Sequence, residues 1–522
     1  MIFLLCLLNI ILLFFPSALL AGALTPMERL GKEIYLKTVS PSGKEIKAYI
    51  GIASTEAPGS VFPCVNCHGR NGRGRPGSGI FPSNITYKEL TKPYTVRQLD
   101  GRQRPAYTEE TLARAITKGV DPAGNRLNPA MPLYSMPEED LSALIAYLRH
   151  LGTELDEGVR EDRIRVGTFY PKGGRLTEAG RSMTKVLKAY FDQINLQGGI
   201  YGRKFDLEIV EYDERKKSPL DVVRQLVQEK GVFAIVGGIL EGGGREISQF
   251  LEEEEVPFVG PFTQSPDDIS LNRYTFYLFP GLKEEMLALL KFSKQKLHLP
   301  EGRIALLYPE EPFLKELEEA LSGEVKKMGW SSYHRLSYRS VRFDPEPFIS
   351  EMIQKGIEAV FFMGSWEEAK SLILSGDRMG WRPFYFLSGS KIGREIFDLP
   401  VRFERKFYLG FPTIPSDQTE TGIREFMALA NKYPISRGHL PAQISAFASV
   451  KIFAEGVKLS GRELNRERLV TQLESLNRFE TGLIPRISYG PNRRIGALGV
   501  YVVTVNLERK SFEPIGGWIS LE

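Results

Sequence analysis

Cys64 and Cys67 stand two residues apart and His68 follows at once, in the run Cys64-Val65-Asn66-Cys67-His68. Two thiols one helical turn apart can add to the two vinyl groups of a porphyrin, and a histidine beside the second thiol can then reach its iron. The spacing therefore points to one covalently attached c-type haem, with His68 as an axial ligand. The remaining cysteine, Cys6, lies in an apolar N-terminal stretch, so there is no second cysteine pair to complete a zinc site. A thioredoxin-like redox pair would sit at the strand-to-helix turn of a βαβ unit, whereas here a Gly/Arg-rich loop follows His68.

A sixth ligand must come from elsewhere, and Met131, Met136 and His150 are the candidates. Ser135 and Glu138 have capping-box spacing, which predicts a helix from there to about His150 with Leu141, Leu144, Ile145 and Leu148 on one face. Met136 would then occupy the first helical turn and His150 the far end, where a cation suits the helix dipole at the surface. Met131, followed by Pro132, falls in an extended loop from which a thioether can drop onto an iron, and it is the favoured ligand. A further helix is predicted between Thr108 and Gly119, carrying Leu112, Ala115 and Ile116.

Residues 24–153 resemble the class I cytochromes c, an all-α family. The resemblance rests on the cap Thr25-Pro26-Met27-Glu28 before Gly31 to Tyr35, on Gly69 and Gly72-Arg73-Gly74 after the haem motif, and on Met131-Pro132 before a final helix with Ala146-Tyr147-Leu148. It implies that the two terminal helices cross above the haem. It also implies that Pro82, in Gly79-Ile80-Phe81-Pro82, offers its carbonyl to the ring N–H of His68. With histidine and methionine both on the iron no coordination position stays open, so the chemistry implied is one-electron transfer.

At 522 residues the chain exceeds a single core, since domains usually run to roughly 100–200 residues. Its composition, 42% hydrophobic and 25% charged, is that of ordinary globular protein, and the net charge of +4 gives no sign of nucleic acid as a partner. Residues 1–23 are nearly unbroken apolar sequence ending Ala21-Gly22-Ala23, which reads as a signal peptide; its length would also serve an uncleaved anchor. Either reading places the rest of the chain in the periplasm. Residues 154–162 are charged and read as a linker.

From Ile164 onward apolar strands at 164–169, 205–210, 233–236, 304–308, 359–363 and 384–387 alternate with helical stretches. That order predicts parallel sheets covered by helices on both faces, and the length of 163–522 favours two of them. The landmarks Ile164-Arg165-Val166-Gly167, Asp192-Gln193-Ile194-Asn195, Gly198-Gly199-Ile200-Tyr201-Gly202-Arg203 and Val256-Pro257-Phe258-Val259-Gly260-Pro261 resemble the type I periplasmic binding proteins, in their leucine/isoleucine/valine-binding branch. The resemblance implies two α/β lobes joined by three crossings, the first near residue 281, with a small-molecule ligand between them.

By position, that resemblance puts Glu241 and Gly242 where a serine usually meets the ligand carboxylate. Phe262, Thr263 and Gln264 fall in the next contacting loop, Phe313 where an aromatic closes from the second lobe, and Ser390, beside Lys391, where an acid usually holds the ammonium. Glu241 would repel a carboxylate and Ser390 would leave an ammonium unpaired, so a free amino acid in the usual pose is disfavoured. Glu241 also suits the N-terminus of the following helix as a solvated acid. His298, His334 and His439 have no ligand-like spacing and read as structural or surface residues. Gly242 to Gly244 lacks the lysine of a phosphate loop, and no Gly-x-Ser-x-Gly elbow occurs. The expectation is an exported haem c electron carrier joined to a receptor-like module. Its partners would be a periplasmic cytochrome or dehydrogenase; the alternative is the substrate-binding component of an ABC importer, working with its permease. No catalytic residues are indicated.

Overall fold

In the computed structural model the residues described are 24–74, 81–98, 100–152, 155–174, 176–266, 272–329, 333–339, 343–435 and 438–521. The apolar stretch 1–23 and residues Gly79 and Ile80 lie outside them. The chain divides into two compact units between Leu155 and Asp156.

The first unit opens with α1 (Pro26–Lys37), where Thr25 and Glu28 cap each other reciprocally. Next come the strands β1 (Lys47–Ile50) and β2 (Thr55–Pro58), then α2 (Cys64–His68), α3 (Tyr87–Leu90), and the short pair β3 (Val96–Arg97) and β4 (Gln103–Arg104). They are followed by α4 (Glu109–Lys118), β5 (Leu133–Ser135) and α5 (Glu138–Leu148). As predicted, α4 is capped by Thr108 and closed by a left-handed Gly119. Helices α1 and α5 cross, with the Tyr35 and Tyr147 rings 5.6 Å apart. Where they meet, a Cβ on Gly31 would lie 2.0 Å from the Ala143 carbonyl oxygen. Ile34, Tyr35, Leu144 and Leu148 are buried around that crossing, each such side chain stabilising by roughly 1.5–3 kcal/mol.

Two sequence expectations are corrected here. The unit is not all-α, because β2, β1 and β5 form an antiparallel sheet and β3 pairs with β4. Nor does Ser135 cap a helix. Its backbone pairs with Lys47 in the sheet, so α5 begins only at Glu138, after Pro137, and Met136 precedes the helix. The acids Glu138, Glu139 and Asp140 of the first turn complement the helix dipole instead.

The second unit starts earlier than expected. Within the presumed linker, Asp156 accepts from the Arg466 backbone N–H at 2.5 Å, and Val159 is buried in the core beyond. The chain then runs β6 (Arg163–Pro171), α6 (Thr177–Leu196), β7 (Lys204–Tyr212), α7 (Pro219–Arg224), β8 (Ala234–Val236), α8 (Gly244–Glu254), β9 (Phe258–Val259) and β10 (Thr275–Phe276). These strands make a parallel sheet of order β10-β9-β8-β6-β7. A second sheet follows α9 (Leu282–Gln295), from β11 (Ile304–Pro309), α10 (Pro312–Lys327), β12 (His334–Tyr338), α11 (Pro345–Gln354), β13 (Ala359–Phe362), α12 (Trp366–Arg378), β14 (Phe384–Ser388) and β15 (Phe407–Phe411). All six strands expected from the apolar runs are present.

The chain next returns to the first sheet. Helices α13 (Glu420–Lys432), α14 (Leu440–Ser460) and α15 (Arg466–Glu474) contribute Phe426, Phe447 and Leu469 to the core that holds β6 and β8. It ends in β16 (Gly499–Asn506), β17 (Ser511–Pro514) and β18 (Ile519–Ser520), which add antiparallel strands to the second sheet. That sheet is therefore mixed, where a wholly parallel one was expected. The result is two α/β lobes with three crossings, at about residues 277–281, 412–419 and 490–498. The first and third run side by side and are bonded through their backbones, Tyr277 to Arg494 at 2.8 Å and Gly496 to Tyr277 at 2.9 Å.

Candidate functional site

A cavity of about 950 Å³ occupies the first unit, at the upper end of what small-molecule and cofactor sites enclose. Cys64, Cys67, His68 and Met131 all line it, with Tyr35, Leu112, Ile116, Leu144 and Leu148 supplying apolar wall. The short α2 places both cysteines and the histidine on one turn. Burial pushes the Cys64 thiol up to about 11 and raises that of Cys67. Burial also lowers the His68 imidazole, against a smaller opposing effect of its backbone partner, which favours the neutral ring that metals bind.

That partner is the Ser83 carbonyl, 3.0 Å from Nδ1. The expectation for Pro82 is thus corrected by one residue: its own carbonyl lies against Gly74, where a Cβ would come within 2.2 Å. With Nδ1 engaged by a carbonyl, Nε2 is the nitrogen left for a metal. Of the three candidates for the opposite side, Met131 lines the cavity. Met136 packs against the apolar core, and His150 pairs with Glu28 at 2.9 Å. The structure thus fits a covalently held, axially ligated haem: paired thiols, a histidine fixed through its far nitrogen and a thioether all reach one porphyrin-sized space.

The sequence reading missed the polar wall. Arg97, Arg102 and Arg104 line the cavity from the β3–β4 pair and its turn. Arg104 is 3% exposed and donates to the carbonyls of Leu90, Pro105 and Glu89, each at 3.2 Å, with its guanidinium over the Tyr107 ring. Arg104→Ala is expected to destabilise the unit by about 2 kcal/mol, because buried carbonyls lose their donors; a denaturant titration of the full chain followed by hydrogen exchange in residues 81–107 checks it.

In the second unit the predicted contact residues lie on the two lobes at the ends of the strands. Glu241 is exposed, and with burial and Glu214 it helps raise the Tyr212 phenol to about 12; Gly242 beside it is exposed with positive φ. Phe262 exchanges backbone bonds with Gly238 and Leu240, which brings its loop alongside that of Glu241. Thr263 Oγ1 accepts from the Ser265 N–H at 3.1 Å, and the Gln264 carbonyl accepts from Leu282 at the head of α9. Phe313 lies in the first turn of α10; its side chain is outside the described residues. Ser390 is exposed in the turn after β14, and its Oγ is 2.7 Å from Ser388 Oγ.

Two further residues near these loops were not anticipated. His439 caps α14, its Nδ1 accepting from Ala442 at 3.2 Å, as a structural histidine should; its ring also meets Phe262 edge-on at 5.9 Å. Glu285, in the first turn of α9, is 2% exposed and bonded to Ser388. Burial, reinforced by Glu284, pushes its carboxyl up to about 8, against opposing effects of Ser388 and Lys391.

Comparison with known proteins agrees with both units. The cytochrome c family model matches residues 60–152, and the periplasmic binding protein family model matches residues 163–511. A Leu/Ile/Val-binding protein of Rhizobium johnstonii is 21% identical over 63% of this chain and 87% of its own length. A homologue from Brucella abortus is 21% identical over 43% of this chain and 58% of its own. Among solved structures, a fatty acid ABC transporter substrate-binding protein of Thermomonospora curvata has a TM-score of 0.56 at 15% identity, over 71% of this chain and 95% of that one. A branched-chain amino acid ABC transporter protein of Thermus thermophilus with bound valine has 0.55 at 15% identity, over 69% and 97%. At such identities the structures establish the fold alone. With its family matched over two thirds of its length and a cytochrome c segment in front, the chain belongs to the periplasmic binding protein family.

Proposed function

We propose that this is an exported protein carrying a single haem c for one-electron transfer, coupled to a receptor-like unit that takes a small molecule between its lobes. The observation that carries the reading is the single cavity that gathers Cys64, Cys67, His68 and Met131. Bound there, a haem supplies a one-electron iron couple. Cys64 and Cys67 would hold it covalently through their sulfurs, and His68, aligned by Ser83, would offer Nε2 to its iron. Met131 would offer its sulfur to the same iron, and a thioether ligand would raise the potential relative to a second histidine. With His68 and Met131 both serving as ligands, the unit would act as a relay for a periplasmic cytochrome or dehydrogenase rather than as an enzyme. Export is supported by the apolar segment 1–23 and by both family matches; among the described residues no helix is long and apolar enough to cross a membrane.

After expression with a haem c maturation system, the intact mass should exceed that of the polypeptide by one haem. Met131→Ala should abolish the weak absorption at about 695 nm that accompanies iron–thioether ligation, while Met136→Ala keeps it. The reverse pattern would transfer the ligand role to Met136.

For the second unit, Glu241, Gly242, Phe262, Thr263, Gln264, Phe313 and Ser390 are the proposed ligand contacts. Its solved neighbours are named as ABC transporter components, which supports a second reading, an importer's substrate-binding component with an accessory haem. The two separate by experiment. A haem potential that shifts when the cleft is filled favours ligand-coupled electron transfer, and co-purification with an ABC permease favours import.

A further inference from the structure

The second lobe reaches its proposed ligand position through a chain of three groups that runs from the interior to the surface. Glu285 is 2% exposed and Ser388 3% exposed, and Ser388 Oγ is bonded to Glu285 Oε2. Ser388 Oγ in turn lies 2.7 Å from Ser390 Oγ, with either oxygen able to donate, and Ser390 is exposed at the carboxyl end of β14. The stem of the Glu285 side chain is packed against backbone, since a Cβ on Gly410 would lie 3.2 Å from Glu285 Cβ. The ionisable groups that bear on it are Glu284 on the same helix and Lys391 from the turn after β14. From β15, Gly410 approaches the stem of Glu285, and the Val500 side chain of β16 lies beside that glycine. On α10 the buried Glu318 is turned instead to Ser322 and Tyr333.

Each hydroxyl has a single proton, so the direction of one bond fixes the next. An ionised Glu285 can only accept. Ser388 must then donate inward, Ser390 must donate to Ser388, and Ser390 shows the cleft only lone pairs. A protonated Glu285 donates to Ser388, Ser388 donates to Ser390, and the Ser390 proton is released toward the cleft, beside the Lys391 cation. We propose that Glu285, Ser388 and Ser390 form a relay whose polarity is set by the proton on Glu285, so that near neutral pH the second lobe takes the carboxylate of a small organic acid without an α-ammonium group. The proposal rests on the reading that the cleft binds a small molecule. Burial supports the protonated state, having pushed this carboxyl up to about 8.

The test uses the full chain and three probes: 4-methylpentanoate, 3-methylbutylamine and L-leucine. Binding is measured by calorimetry and by thermal shift at pH 6 and pH 9.5, where the first two probes keep their charge. The expected result is binding of 4-methylpentanoate at pH 6 that weakens about tenfold or more at pH 9.5. Glu285→Gln should bind it at both pH values alike, since an amide can donate but cannot ionise. Ser390→Ala, an exposed change that leaves the buried groups in place, should weaken binding at pH 6 by about fivefold or more without altering the melting temperature. The proposal is overturned if Glu285→Gln keeps the pH dependence, if Ser390→Ala binds like the parent, or if 3-methylbutylamine is preferred at pH 6. Should L-leucine bind and 4-methylpentanoate not, the proposal falls and the cleft reading stands. Should none of the three raise the melting temperature, both fall.

Discussion

Gly31→Ala is expected to open the first unit at its helix crossing, with a loss of about 3 kcal/mol or more. A Cβ at this position would meet the carbonyl oxygen of Ala143 at 2.0 Å, its carbon at 2.6 Å and the Tyr147 Cβ at 2.8 Å. Two of those atoms are backbone and the third is fixed to it, so no side-chain rotation can make room. The helices must separate, and Tyr35 and Tyr147, both buried and in ring contact, lose their packing. Overpacking usually costs about 1–3 kcal/mol, and a clash with backbone belongs at or beyond the top of that range. Against a domain stability of about 5–15 kcal/mol the loss is large. Hydrogen exchange on the full chain should show protection falling in residues 26–37 and 138–148 while 163–521 keeps its own, which serves as the internal control. Unchanged protection in α1 and α5 would mean that their crossing does not need a glycine.

Glu285→Gln should have its largest effect in alkaline solution. The carboxyl has an ordinary value of 4.5 and is held at about 8 in the folded chain. Below the ordinary value it is protonated whether folded or not. Between the two values the folded chain keeps a proton that the unfolded chain has released, so this group's contribution to stability falls as pH rises, and it is lost above about 8. Glutamine cannot ionise and removes that slope. The variant should therefore gain on the parent from pH 5 to pH 9, by an amount on the order of a few kcal/mol. Melting temperatures of the second unit across that range decide the matter; parallel curves for parent and variant would show that Glu285 ionises normally. The amide can still donate to Ser388, and any difference in the strength of that bond acts at every pH alike, so the trend remains readable.

What could be seen in the sequence followed the strength of each local signal. The strands at 304–308 and 359–363 are apolar throughout because both of their faces are buried in a core, and such runs stand out. The haem motif was legible because two thiols and an imidazole at fixed spacing have few other uses. The small sheet of the first unit was hidden, since Thr55–Pro58 and Leu133–Ser135 are three or four residues long and show no alternation. Once that sheet exists, Ser135 belongs to a ladder and the apparent cap before α5 disappears, so one missed strand produced the second error. Ser83 replaced Pro82 because a one-residue register in a loop is set by tertiary contact. Glu285 was illegible for another reason. In Lys283-Glu284-Glu285 it reads as a solvated helix face, and only the approach of Ser388 and Gly410 from distant strands buries it.

The paired crossings between the lobes of the second unit carry a mechanical consequence. A lone strand is a swivel with two soft torsions per residue and would let one lobe turn freely about the other. Here Tyr277 and Gly496 are stitched together by backbone bonds, and Thr419 ties the remaining crossing to Gly482 at 2.9 Å. Such a ribbon flexes easily across its thin direction, but it resists twist and sliding, which would shear those bonds. The lobes are left with essentially one degree of freedom, a door swinging on a strap hinge. The head of α9, where Leu282 is bonded to Gln264 of the other lobe, stands beside that hinge line.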